Sequence, residues 1–124
     1  MIYEEICTYE VCKLASEVGF KSFTRSYYII GDKEPFFVGE AKNWNVHYDR
    51  YSAPTQSLLQ KWLREEKRTH IAVFPNMANS FEFDYIVYTK GDKFWNPIYT
   101  AHSDFATYEY ALEDALKHVL ENLV

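Results

Sequence analysis

Cysteine, methionine, glycine and proline are all scarce in this sequence of 124 residues, with two, two, four and four copies. Cys7 and Cys12 lie five positions apart in a segment with helical spacing, which suits neither a disulfide between them nor the CxxC pattern of a metal site. We therefore expect two free thiols in the reducing cytoplasm. So few glycines and prolines, together with 48% hydrophobic residues, exclude a disordered chain.

Long apolar runs and catalytic signatures are also absent. No run of apolar residues approaches the ~20 that cross a bilayer, and the acidic first residues lack the basic start of a signal peptide. The sequence contains no GxxxxGK(S/T), GxGxxG, GxSxG or HExxH motif, so nucleotide binding through a glycine-rich loop, hydrolase chemistry and a zinc site all lose their usual support. We expect a cytoplasmic protein that is not an enzyme and binds no cofactor, no metal ion and no membrane.

Acidic residues outnumber basic ones, 18 against 13, and the net charge is −5. The excess lies at the two ends, since residues 21–101 hold eleven basic and nine acidic residues and so carry +2. An acidic protein lacks the basic surface that supplies most of the salt-dependent affinity for nucleic acids. The charge therefore argues against a nucleic-acid partner.

The order of the predicted elements indicates a single α+β domain over residues 1–124. We expect a two-layer sandwich in which a mostly antiparallel sheet is packed by three amphipathic helices. The first helix is capped by Thr8 and stopped by Gly19, the second begins in the segment 52–55, and the third is capped by Thr107. Strands are predicted at 22–30, 36–38, 43–49, 71–74, 81–88 and 94–99.

Two of these strands have predicted positions in the sheet. Residues 71–74 are apolar on both faces, which predicts a central strand. Pro97 cannot donate a hydrogen bond to a neighbouring strand, so residues 94–99 are predicted to form an edge. In residues 81–88 the alternation places Phe81 and the following odd-numbered residues inward, and Glu82 and Asp84 outward in solvent.

The predicted strand 43–49 carries a catalytic candidate. Its alternation places Asn45, His47 and Asp49 on one face. A histidine whose ring is held by a carboxylate can act as a general base, so His47 and Asp49 are a candidate pair. The polar face of a half-buried strand explains the same pattern without any chemistry.

A basic stretch gives the alternative function. Lys61, Arg64, Lys67 and Arg68 belong to a helix–strand–strand–strand–helix order, which is the order of a double-stranded-RNA-binding domain. That fold contacts phosphates at the start of its last helix, whereas here that helix begins with acidic residues such as Glu109. A nucleic-acid-associated accessory protein is therefore kept only as the alternative.

Aromatic residues are abundant, at 19% of the chain, and some are adjacent in predicted strands. Consecutive strand residues point to opposite faces, so either helices cover both faces or part of the aromatic surface is exposed and contacts a partner. Tyrosine and tryptophan are enriched in the centres of interfaces. We expect a non-enzymatic interaction module that binds a protein partner or a second copy as a homodimer, with contact residues Tyr27, Tyr28, Phe36, Phe37, Trp44, Phe94 and Trp95.

One segment resembles a known group. Residues 52–65, SAPTQSLLQKWLRE, followed by HIAV at 70–73, resemble small hypothetical proteins of gut anaerobes and their phages or mobile elements. The resemblance extends to the aromatic alternation at 81–85 and to the YEYALE segment at 108–113. The group has no established activity, so the resemblance implies a mobile-element origin and an accessory role and assigns no catalytic or binding residue.

Overall fold

A computed structural model describes residues 4–78 and 81–124 of the chain, without the side chains of residues 103 and 104. The described elements are α1 (Tyr9–Glu17), β1 (Thr24–Ile29), β2 (Phe36–Lys42), a short 3-10 helix (Trp44–Val46), β3 (Arg50–Ser52), α2 (Gln56–Glu66), β4 (Thr69–Pro75), β5 (Phe83–Lys90), β6 (Trp95–Phe105) and α3 (Tyr108–Asn122).

Each α-helix begins after a threonine whose side chain accepts a hydrogen bond from the backbone N–H three residues later. Thr8 and Thr107 cap α1 and α3 as predicted, and Thr55, at the end of the predicted start segment 52–55, caps α2. Gly19 follows α1 with φ +95°, which confirms the predicted left-handed stop.

The strands form two three-stranded sheets, with the orders β2-β1-β3 and β4-β5-β6 and antiparallel pairing throughout. The α+β class is confirmed. Helix α1 packs against β3 and α3, and α3 packs against β4 and β5, so the two helices lie between the first and the second sheet. One continuous core contains buried residues from all three helices and from both sheets.

The predicted strand at 43–49 is wrong. Asn43 accepts a hydrogen bond from the backbone N–H of Asn45 and starts the 3-10 helix, and the Asn45 side chain accepts another from the N–H of Ser52. These asparagine contacts turn the chain back on itself, so β3 comes later, at Arg50–Ser52. The alternation of polar and apolar residues at 43–49 therefore belongs to a turn, in which the ring of Trp44 is buried.

The predicted central position of residues 71–74 is also wrong, because β4 is at the edge of its sheet and β5 is the middle strand. The outer side of β4 is covered by α2, whose Gln60 side chain donates a hydrogen bond of 2.8 Å to the carbonyl oxygen of Ile71. That cover explains the apolar character of residues 71–74 on an edge strand. The edge position of β6 is confirmed, and β6 runs on to Phe105.

The inward and outward assignment around β5 needs two corrections. Tyr85 and Val87 are buried as expected, but Phe81 precedes the strand and is 83% exposed. Asp84, predicted to face solvent, is buried. The sequence also predicts a turn at 75–80, between the strands predicted at 71–74 and 81–88, and its last two residues, Asn79 and Ser80, lie outside the described residues.

The two thiols are buried at the contact between α1 and the rest of the core. Burial raises the pKa of Cys7, and the nearby Cys12 raises it further. Burial also raises the pKa of Cys12, with a smaller contribution from the Glu113 carboxylate. Because the thiolate is the reactive species, both groups are chemically inert in the folded chain.

We predict that both thiols are protected from 5,5′-dithiobis(2-nitrobenzoate) until the chain unfolds. Reaction requires opening of the core, so the native rate is expected to be at least about 1,000-fold below the rate in denaturant. A Lys13→Cys variant supplies a matched thiol on the exposed side of α1 and reacts at the fast rate in the native state. Fast native labelling of Cys7 or Cys12 would contradict the buried placement.

Candidate functional site

Tyr27 and Tyr28 point to opposite sides of β1, as alternation requires. Tyr28 faces α1 and is buried; its hydroxyl donates a 2.8 Å hydrogen bond to the carbonyl oxygen of Cys7, and its ring meets that of Tyr9 edge to face. Burial raises the pKa of Tyr28. Tyr28 is therefore a core residue, which removes it from the predicted contact surface.

Tyr27 lies on the other side of β1 in a cluster of rings around Trp44. The Tyr27 ring is 4.7 Å from the Trp44 ring and is stacked at 5.6 Å on Phe36. The Arg50 guanidinium lies over both rings, 4.6 Å from that of Tyr27 and 5.6 Å from that of Trp44. Trp44 is buried, and its indole N–H donates to the carbonyl oxygen of Thr24 at 2.8 Å. Trp44 therefore packs internally and is not part of an exposed contact surface either.

Four of the seven predicted contact residues are exposed. Phe36 and Phe37 begin the edge strand β2 and are 42% and 70% exposed. Phe94 directly precedes the edge strand β6 and Trp95 begins it, and the two are 74% and 37% exposed. The exposed members of the predicted contact set thus form two separate pairs, one at each sheet, among other exposed rings such as Tyr48 and Phe81.

The structure gives His47 and Asp49 different partners. The His47 ring is stacked on Trp44 at 6.2 Å, and an Asp49 oxygen lies 3.8 Å from the side-chain nitrogen Nε of Arg50. The strand that would have aligned the two side chains is a 3-10 turn. The geometry therefore gives no support to this pair as a general base and its orienting carboxylate.

The four basic residues of α2 and the turn after it separate into two groups. Lys61 pairs with Glu65 at 4.0 Å, and Lys67 lies over the Trp62 ring at 5.5 Å. Arg64 and Arg68 instead line an open depression of about 490 Å³ together with Glu65, Lys90 and Trp95, which we call the basic depression.

A histidine lies beside the basic depression. The His70 ring on β4 is 5.8 Å from the Trp95 ring and 6.2 Å from the Tyr88 ring. Its Nδ1 atom is buried and has no hydrogen-bond partner among the described residues. Burial lowers the pKa of His70, and the positive charge of Arg64 lowers it further. His70 therefore favours its neutral form there.

Sequence reasoning missed a second polar cluster, around the buried Asp84. Its Oδ2 atom accepts a 3.0 Å hydrogen bond from the Asn76 side chain and lies 3.1 Å from Nδ1 of the exposed His102. The other oxygen, Oδ1, is buried without a hydrogen-bond partner among the described residues. No local pattern indicates this cluster, because its members come from three different parts of the chain.

A third polar contact joins all three helices at their N-terminal ends. One oxygen of the Glu113 carboxylate accepts the backbone N–H of Thr8 at 2.7 Å, and the other accepts the Gln56 side chain at 2.8 Å. Gln56 also donates to the carbonyl oxygen of Glu109 at 2.9 Å. Glu113 therefore fixes α1 and α2 relative to α3, which is a structural role.

The described residues contain no group of three or more side chains suited to hold a metal ion. Across the same part of the chain, no helix combines the length and the apolar character needed to cross a membrane. The fold and its surface thus define an α+β protein with two exposed aromatic pairs and one basic depression. The chain shows no significant similarity to any known protein family, curated protein or solved structure.

Proposed function

We propose that the chain is a non-enzymatic protein-interaction module that self-associates through the edge strand β2. The observation that supports this function is the surface of β2. All seven of its residues are exposed or half-buried, and its two consecutive phenylalanines, Phe36 and Phe37, both contact solvent. Exposed phenylalanine on an unpaired strand edge is a site where another strand can add.

Two copies of β2 can pair antiparallel about a two-fold axis, which joins two three-stranded sheets into one sheet of six strands. In that pairing the free backbone N–H and C=O groups at the edge of β2 form hydrogen bonds with the second copy, and the Phe37 side chain is removed from water. The strand has no net charge to repel an identical copy, because Glu40 and Lys42 cancel each other and form an ion pair at 3.5 Å.

The edge strand β6 is the less suitable surface for such pairing. Pro97 lies within it and lacks a backbone N–H, and its pairing with β5 has two register shifts, against one in the pairing of β2 with β1. Both features interrupt the regular row of hydrogen-bonding groups that strand addition needs. This difference favours Phe36 and Phe37 over Phe94 and Trp95 as the self-association contact.

Sedimentation velocity of the wild type and two lysine variants tests this function. We expect a dimer in the micromolar range, at least about tenfold weaker dimerisation for Phe37→Lys, and no change for the matched control Phe94→Lys. The two replaced phenylalanines are similarly exposed, so a general effect of added charge changes both variants alike. A wild type that stays monomeric at about 100 µM, or a Phe94→Lys variant that alone dissociates, would overturn the assignment to β2.

We also propose that the protein is located in the cytoplasm and that it has an accessory role in a phage or mobile element. The two cysteines are free thiols, which fits a reducing compartment. The accessory role follows only from the resemblance of the segment at 52–65 and stays a prediction.

A further inference from the structure

The basic depression brings together cations that are far apart in the sequence. Arg64 comes from the last turn of α2, Arg68 from the turn that follows, and Lys90 from the end of β5. The backbone fixes this arrangement, because the N–H of Lys90 donates a 2.9 Å hydrogen bond to the carbonyl oxygen of Arg68. Three positive side chains therefore line one depression together with the partly exposed indole of Trp95, and the Lys90 nitrogen lies 6.0 Å from its ring centre.

These cations are not neutralised by the rest of the described chain. Arg64, Arg68 and Lys90 form no ion pair with any described residue. Glu65, the one acidic residue that lines the depression, is paired with Lys61. In the turn after Lys90, Asp92 and Lys93 cancel in charge. Like charges held together without a counter-ion repel one another, and a bound anion removes that repulsion.

The backbone at Arg68 gives a second, independent observation. Arg68 has φ +52°, and it is the one residue other than glycine with a positive φ among those the structure describes. A side chain in this left-handed region costs about 1–2 kcal/mol, and the position just after a helix is usually glycine for that reason. The chain thus places a guanidinium at the depression at the expense of local stability, which is typical of a functional position.

We propose that the basic depression binds a phosphate group. Arginine guanidinium groups match the oxygens of phosphate with paired hydrogen bonds, and Arg64 and Arg68 supply two of them, with Lys90 as a further positive charge. Trp95 adds a flat ring beside the phosphate position, which suits a nucleotide whose base can stack on it. This site is on the second sheet and goes beyond the proposed self-association, which uses the first sheet.

The same phosphate chemistry occurs in a free nucleotide and in a single-stranded nucleic acid. The net charge of −5 repels a long polyanion, so the ligand we infer is the free nucleotide. Three probes separate the sources: inorganic phosphate, adenosine monophosphate and an oligodeoxythymidylate of about eight nucleotides, roughly the length that one compact single-strand-binding domain covers.

Nuclear magnetic resonance of the indole N–H groups provides the measurement. The chain has three tryptophans, and a Trp95→Phe variant identifies the Trp95 signal. We expect that signal to shift with inorganic phosphate, with half-saturation in roughly the millimolar range. Adenosine monophosphate is expected to bind more tightly than phosphate. Tighter binding of the oligonucleotide than of the mononucleotide would support the phosphate site and reassign its source to nucleic acid.

Two variants and one control make the test specific. Arg64→Gln and Arg68→Gly are each expected to weaken phosphate binding by about tenfold or more. Arg68→Gly is also expected to raise the midpoint of urea unfolding, because glycine accepts the left-handed backbone without strain. The control Lys67→Gln removes one charge from the same helix end, outside the depression, and is expected to bind like the wild type. No shift of the Trp95 signal at about 20 mM phosphate, or equal weakening by all three variants, would overturn the proposal.

Discussion

Replacing Trp44 by alanine is expected to lower the free energy of unfolding by about 3–5 kcal/mol, the range typical of buried aromatic truncations. The indole is buried against Tyr27, and its N–H bonds to the carbonyl oxygen of Thr24. The backbone N–H of Trp44, which alanine retains, donates to the side chain of Ser52 at 2.9 Å, so the bond to Thr24 is the hydrogen bond that this variant loses. Its loss leaves a cavity under the first sheet.

Arg50 adds to the cost of this change. Its Nε atom is buried and has no hydrogen-bond partner within the described part of the chain, although the Asp49 carboxylate lies 3.8 Å away. The guanidinium is stabilised by the faces of the Tyr27 and Trp44 rings. Without the indole, a partly buried charge loses one of its two aromatic contacts.

A Trp44→Phe variant separates packing from the hydrogen bond. Phenylalanine keeps most of the ring contacts but cannot donate to Thr24, so we expect a loss of about 1–2 kcal/mol. Urea unfolding followed by far-ultraviolet circular dichroism measures both variants without relying on tryptophan fluorescence. A loss below about 1 kcal/mol for Trp44→Ala would show that this residue is not a structural centre of the first sheet.

The helices could be predicted from the sequence because their signals are local. Thr8, Thr107 and Gly19 act on backbone groups within a few positions of themselves, and the apolar spacing of α2 and α3 repeats every turn. The edge position of β6 was likewise predictable from Pro97 alone. In each case the deciding interaction lies within the predicted element.

The errors occurred where distant residues decide the structure. The alternation at 43–49 is typical of a strand, but the contact between Asn45 and Ser52 converts the segment into a turn. Asp84 is buried because Asn76 and His102 cover it, from positions 8 and 18 residues away. A pattern of polar and apolar residues contains no information about such partners.

The same difference between local and distant interactions applies to the candidate sites. The sequence identified Arg64 and Arg68 as basic and Trp95 as a contact residue, but could not place them together, because the turn between α2 and β4 and the end of β5 bring them into one depression. The adjacent pair Phe36 and Phe37 was predicted as a contact pair, but the sequence left open whether helices cover both faces of that strand. Which aromatic residues are buried in the core and which are exposed could be determined only from the fold.

Alkaline pH is expected to destabilise the chain through the buried Tyr85. Its ring is fully buried, and its hydroxyl donates a 2.8 Å hydrogen bond to the Asp114 carboxylate. Burial raises the pKa of Tyr85, and the hydrogen bond to Asp114 raises it further. An unfolded tyrosine loses its proton near pH 10, while the folded one retains it, so this contribution to stability is present below about pH 10 and is lost as the pH rises above that value. Tyr28, whose pKa is also raised, adds to the effect in the same direction.

A Tyr85→Phe variant tests whether ionisation of Tyr85 causes this loss of stability at alkaline pH. At pH 7 it loses the hydrogen bond to Asp114, for an expected cost of about 1 kcal/mol. It also loses the ionisable group, so its free energy of unfolding falls less steeply than that of the wild type above about pH 10, and the difference between the two chains shrinks there. The matched control Tyr48→Phe changes a tyrosine that is 95% exposed and is expected to follow the wild type across the whole range. Urea unfolding between pH 7 and 11 gives both curves, and parallel curves for the wild type and Tyr85→Phe would contradict the burial of the Tyr85 hydroxyl as the cause.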